Sequence, residues 1–176
     1  NQNWQRFETV MKPKIIGTWN LHQATKDRNL DFFVCFSSIV SLIGSPGQGN
    51  YSAANGFMDA LMQHRRMLKL SGLSINWGPW SDSGMAADSE RQNRFSALGI
   101  RMITPEWGLE MLETILLHKE PQIGIFPVNW SLFLTQIPRH SWSPFLSSVN
   151  ENQSPTFNSQ DLIRSQKSNT IKSLQG

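Results

Sequence analysis

The stretch Phe36-Ser37-Ser38-Ile39-Val40-Ser41-Leu42-Ile43-Gly44-Ser45-Pro46-Gly47-Gln48-Gly49-Asn50-Tyr51-Ser52-Ala53-Ala54-Asn55 decides the fold. It continues an apolar run, Phe32 to Phe36, that is rich in aromatic and β-branched residues. Asp31 precedes the run and the hydroxyl pair Ser37-Ser38 ends it, the pattern of a buried parallel strand. Ser45 to Asn50 reads as a loop, with glycines free to take positive φ and a proline to set the turn. From Tyr51 to about Lys69 the period becomes helical, with Phe57, Met58, Leu61, Met62 and Leu68 recurring at three- and four-residue steps. A strand thus brings Ser38 to its carboxyl end, and the next helix presents Tyr51 and Asn55 one turn apart on one face. In open α/β sheets that edge is where ligands bind.

Working outward, Leu73-Ser74-Ile75-Asn76-Trp77 reads as a second short strand, followed by a turn at Gly78-Pro79-Trp80. Glycine there would let the backbone come close to a neighbour or a ligand. Residues 81–103 begin with Ser, Asp and Gly and end in a short mixed helix. Thr104-Pro105-Glu106-Trp107 opens another helix, with Thr104 as N-cap, Pro105 at the first helical position and Glu106 in the first turn. Leu109, Leu112, Ile115 and Leu116 are its expected buried face. Gln122 to Val128 reads as a last strand. Upstream, residues 4–25 look like one helix bent or restarted at Pro13, with Gly17 beside Trp19 suited to close packing. The sequence 148–176 is polar, rich in Ser, Asn and Gln, and reads as a linker or tail after a folded part spanning 1–147.

Composition narrows the function classes. A chain of 176 residues, 39% hydrophobic with seven tryptophans, is long enough for a single domain with a sizeable core. A formal net charge of +3 from scattered basic residues gives no stripe of the kind nucleic-acid binding needs. The single cysteine, Cys35, can form no internal disulfide, and the scattered histidines offer no metal-ligand spacing. No run approaches the length of a membrane span, and the polar N-terminus lacks the apolar core of a signal peptide. A reducing, cytoplasmic setting is expected.

The run FSSIVSLIGSPGQGNYSAAN closely resembles the catalytic segment of ketoreductase domains of modular type I polyketide synthases, a branch of the short-chain dehydrogenase/reductases. MKPKIIGTWNLH before it and LSINWGPWSDSGMA after it resemble that family's flanking motifs in the same order, and the likeness covers roughly residues 5 to 147. It implies a Rossmann-like, doubly wound parallel sheet of which only the carboxyl-terminal half is present, because no Gly-x-Gly-x-x-Gly turn for a pyrophosphate occurs. It also implies a catalytic tetrad of Lys14, Ser38, Tyr51 and Asn55. The family's spacing, with serine thirteen residues before tyrosine, selects Ser38 over Ser37. Most short-chain reductases place the lysine four residues after the tyrosine; Asn55 stands there, and Lys14 falls at the family's Pro-Lys-x-x-Gly motif.

The same resemblance implies NADPH as cofactor, with Lys14, Tyr51, Gly78 and Pro79 beside it, and a substrate lid that begins at Met85 and Ala86. The implied partners are an acyl carrier protein domain bearing a β-ketoacyl phosphopantetheine thioester, the upstream half of the reductase, and other synthase domains; no membrane or nucleic acid is among them. Ile43 stands where one stereochemical class carries tryptophan, which leans towards the class giving a D-configured hydroxyl. Two rival readings are a non-catalytic segment that shapes a synthase module and a stand-alone short-chain dehydrogenase. Asn55 and the WGPW…GMA segment disfavour the second.

Overall fold

A computed structural model describes residues 3–81, 89–141 and 143–151. Its centre is a three-stranded parallel sheet in the order β1 (Val34–Ser38), β2 (Leu73–Trp77), β3 (Gln122–Ile125). Val34 pairs with Leu73 and Ser38 with Trp77, while Trp77 pairs with Ile125, so the carboxyl ends line up. Parallel neighbours need helical crossovers. The first crossover contains α3 (Val40–Ile43) and α4 (Gly49–Met67); the second contains α5 (Ser89–Ala97) and α6 (Pro105–Ile115).

The two crossovers cover opposite faces because side chains alternate along a strand. Leu73, Ile75 and Trp77 join Ile103, Ile115 and Ile125 in a core on the α6 side. On the α4 side, Cys35 packs with Met58, Leu61 and Met62. A third cluster, Ile100, Phe133, Leu134 and Leu146, brings in α7 (Trp130–Thr135) and α8 (Pro144–Glu151). Helix α8 runs through 148 to Glu151; the rest of the expected tail lies outside the described residues.

Before the sheet, α1 (Trp4–Met11) and α2 (Gly17–Thr25) are joined by a π-helical turn, Lys12–Ile16. Pro13 has no N–H to donate into an α-helical ladder. The chain absorbs the break in a wider turn, in which the Gly17 N–H reaches back to the Lys12 carbonyl. The helix therefore neither stops nor restarts; it widens at the lysine. Helix α1 and this turn pack on α4, which in turn packs on β1 and β2.

Several sequence expectations need correction. Helix α4 begins at Gly49 rather than Tyr51, within the stretch read as loop, α3 occupies a stretch given no element, and β3 ends at Ile125, three residues early. Phe32 and Phe36 belong to the run read as buried, yet they are 65% and 51% exposed. The cause is that β1 is an edge strand among the described residues, and of β1 only Val34 packs against the core on the α6 side. The expected face of α6 holds at Ile115, which is buried, and at Leu112, which packs on the same core, whereas Leu109 and Leu116 are exposed and Gly108 is buried in addition. A Cβ at Gly108 would collide with the Trp80 ring, so this glycine lets the helix lie directly on that tryptophan. Open space surrounds Gly17, which has no close-packing role.

Candidate active site

Ser38 closes β1 at the carboxyl edge and is buried. Its Oγ accepts the Val40 N–H at 3.3 Å, and the Ile39 N–H donates to the Trp77 carbonyl at 2.9 Å, which extends the ladder one residue past the strand. With an oxygen lone pair engaged by the backbone, the hydroxyl hydrogen remains available for an outside acceptor.

Helix α4 starts beside this serine. Asn50 accepts the Tyr51 N–H at 2.9 Å and donates to the Arg6 carbonyl at 3.2 Å, fastening the helix start to α1. Ser52 donates to the Val40 carbonyl at 2.6 Å, fastening it to α3. Tyr51 is half-buried, and the Lys14 ammonium lies 5.5 Å from the centre of its ring. The same ammonium donates to the Phe36 carbonyl at 3.4 Å, a long bond that leaves N–H groups free for other acceptors. Burial lowers the Lys14 pKa below its ordinary value of 10.5, while Cys35 and Asp59 act to raise it.

Asn55 is fully buried one turn after Tyr51. Its Nδ2 donates to the Tyr51 carbonyl at 2.8 Å, whereas its Oδ1 is buried without a hydrogen-bond partner. An orphaned buried acceptor is costly unless something else supplies a donor. These contacts gather Lys14, Tyr51 and Asn55; Ser38 is tied in by its neighbour, since Ser37 Oγ donates to the Asn55 backbone carbonyl at 3.4 Å.

Gly78 and Pro79 sit past the end of β2. The Gly78 N–H donates to the Ile125 carbonyl and the Pro79 carbonyl accepts the Ile103 N–H, both at 2.8 Å. A Cβ on Gly78 would stand 3.0 Å from the Phe126 ring and 3.3 Å from the Ile125 carbonyl, so protein packing by itself favours a glycine there. Met85 and Ala86 lie outside the described residues. Ile43 packs against the Ile100, Phe133, Leu134 and Leu146 cluster.

Sequence reasoning missed the polar layer behind the site. Asp59 is buried, and its carboxylate accepts from Ser74 and Ser41 at 2.5 Å each and from Asn76 Nδ2 at 2.9 Å. The available signal was the four-residue spacing of Tyr51, Asn55 and Asp59, which sets all three on one face of α4.

Parallel strands, helices on both sheet faces and polar side chains gathered at the carboxyl ends define a Rossmann-like α/β unit. Residues 1–82 match the family described as the KR domain. A solved structure titled as A-type ketoreductases from a modular polyketide synthase superposes with a TM-score of 0.79 at 35% identity, covering 86% of this chain and 32% of that one. A mycocerosic acid synthase-like polyketide synthase of Mycobacterium tuberculosis is 41% identical over 153 residues, 85% of this chain and 7% of the relative. A second M. tuberculosis protein, named "Putative inactive phenolphthiocerol synthesis polyketide synthase type I Pks1", is 42% identical over 119 residues, 66% of this chain and 7% of its own length. The chain belongs to the ketoreductase domains of polyketide synthases, within the short-chain dehydrogenase/reductase fold. It spans about a third of the solved ketoreductase and a small part of the synthases it matches. No helix among the described residues is long and apolar enough to cross a membrane.

Proposed function

We propose that this chain is the catalytic, carboxyl-terminal part of a ketoreductase that reduces a carrier-bound β-ketoacyl thioester to the β-hydroxyacyl thioester, within a larger synthase. The observation that carries this reading is the Lys14 ammonium held over the Tyr51 ring, with Asn55 bonded to the same tyrosine's backbone. Tyr51 donates its phenolic proton to the alkoxide that forms when the ketone carbon is reduced. The Lys14 ammonium stabilises the phenolate left behind. Ser38, its oxygen already accepting from Val40, directs its hydroxyl hydrogen to the substrate oxygen and orients it. The unpartnered Oδ1 of Asn55 accepts from a water through which the proton is restored.

The residues present fit NADPH on its nicotinamide side. The free N–H groups of half-buried Lys14 suit a ribose hydroxyl, and Tyr51, Gly78 and Pro79 lie at the same end of the sheet. When bound, a reduced nicotinamide supplies the hydride; the pyrophosphate site belongs to the upstream part of the reductase. The acyl chain arrives on an acyl carrier protein. The lean of Ile43 towards a D-configured product belongs to this same reading.

The test follows NADPH consumption with a β-ketoacyl thioester in the intact synthase, comparing Tyr51 with Tyr51→Phe. Turnover should fall by about two to four orders of magnitude while cofactor affinity stays close to wild type. Retained turnover in the variant overturns the assignment of the acid. Absence of turnover in both folded proteins favours the second reading, a non-catalytic segment, in keeping with the "Putative inactive" in the name of the second M. tuberculosis relative.

A further inference from the structure

Polar residues Ser74 and Asn76 alternate with Leu73, Ile75 and Trp77 along β2, and all five are buried. The polar pair faces α4, where Asp59 meets it. Asn76 is the hub. Its Oδ1 accepts from Gln122 Nε2 at 3.0 Å, so its amide nitrogen is turned towards Asp59. That nitrogen lies 2.9 Å from Asp59 Oδ2, 2.8 Å from Ser41 Oγ, 3.1 Å from Ser37 Oγ and 3.2 Å from the Ser38 carbonyl. Ser41 Oγ also lies 2.9 Å from the Ser38 carbonyl. One carboxylate on the helix of Tyr51 and Asn55 therefore holds both the turn that carries Ser38 and the strand beside it.

We infer that Asp59, acting through Asn76 and Ser41, is a positioning residue that fixes Ser38 relative to Tyr51. This inference rests on the ketoreductase reading above. The geometry is directional: three donors converge on the carboxylate, and replacing one of its oxygens with an NH2 group turns a donor towards donors. The same carboxylate raises the Lys14 pKa from across α4. Cys35 on β1 would raise it only as a thiolate, and burial pushes that thiol's pKa up to about 11, so the thiol carries no charge at neutral pH. Tyr51 is the third titratable group beside this ammonium.

The experiment measures kcat, KM for NADPH and the pH–rate profile of the intact synthase with wild type, Asp59→Asn, Asn76→Asp and the double variant. Asp59→Asn should lower kcat by about ten- to a hundredfold with little change in KM for NADPH. With that negative charge gone, Lys14 loses its proton at lower pH, so the alkaline limb of the profile should move to lower pH. The double variant exchanges the acid and the amide across one hydrogen bond and should recover most of kcat. If Asp59→Asn does not fold, Ser41→Ala carries the test, with a several-fold loss in kcat at unchanged KM. Wild-type kcat in Asp59→Asn, a rise in KM equal to the loss in kcat/KM, or no recovery in a folded double variant overturns the inference. A wild type that reduces nothing overturns the ketoreductase reading itself, and the inference with it.

Discussion

Strands β1 and β2 are the same length, run parallel and pair residue for residue, yet they live in different surroundings. Every residue of β2 is buried, because α4 covers one face, α6 the other, and a strand lies on each side. Helix α4 covers Cys35 and Ser37 of β1 on one face only. On the other face Phe36 leans on Trp77, with ring centroids 5.5 Å apart, and remains half exposed. Phe32, Ile16 and Trp19 are likewise exposed among the segments before and within this edge. What separates the strands is what stands next to them. The strand that ends in the candidate serine is the less enclosed of the two, and on the function proposed above a strand from an upstream part of the reductase would complete it.

The largest effect expected from this contrast is on the chain's independence. The isolated 176-residue chain should aggregate or unfold without a cooperative transition, whereas the same segment joined to its upstream part should melt cooperatively. Thermal denaturation followed by circular dichroism and light scattering distinguishes the two. A sharp, reversible transition in the isolated chain would mean that the open side of β1 costs it little.

Point substitutions sharpen the same contrast. Ile75 is completely buried at the centre of β2, and Ile75→Ala in the joined protein should cost about 2–5 kcal/mol. Phe36→Ser should act with opposite signs in the two contexts. In the isolated chain it removes an exposed apolar ring and should reduce aggregation. In the joined protein it should destabilise by about 3–5 kcal/mol, the cost of losing a large buried aromatic. Urea denaturation of the joined protein checks both values. A neutral Phe36→Ser there would place this ring at a surface that stays open.

Sequence reading went furthest where a local rule had no competitor. Thr104 caps α6 through its bond from the Trp107 N–H, and β2 spans the five residues expected of it. The lysine–tyrosine–asparagine grouping was also legible, because family motifs fixed the residues and the fold brings them together. What could not be read was set by tertiary neighbours. Alternating Leu73, Ser74, Ile75, Asn76 and Trp77 looks like a strand with one wet face, but a single buried aspartate satisfies the polar side. The apolar run around β1 looks fully buried and is half open, since nothing in those residues states which strand lies beside them. The inward face of α6 turned on Gly108 meeting Trp80, a contact between residues with no helical spacing between them. The π turn at Pro13 followed from a rule that predicts a break without saying how the chain absorbs it.

The smallest expected effect probes the covered face of β1 through its one thiol. Cys35 is buried against Met58, Leu61 and Met62, and desolvation pushes its pKa to about 11 from an ordinary 9.0, more strongly than Lys14 and Arg65 pull it down. At pH 8 the folded chain should therefore carry about a hundredfold less thiolate at this position than an unfolded one. The folded state binds the proton more tightly, so this group supports folding below pH 9 and that support is lost as the pH rises towards about 11. Alkylation in the joined protein should be slow at neutral pH and should accelerate over that alkaline window. In the isolated chain, opening of the uncovered strand should expose the thiol and make labelling fast already at pH 8. Equal labelling rates in the two proteins would mean that α4 alone holds β1 in place, and that the open side of the strand has no consequence for its stability.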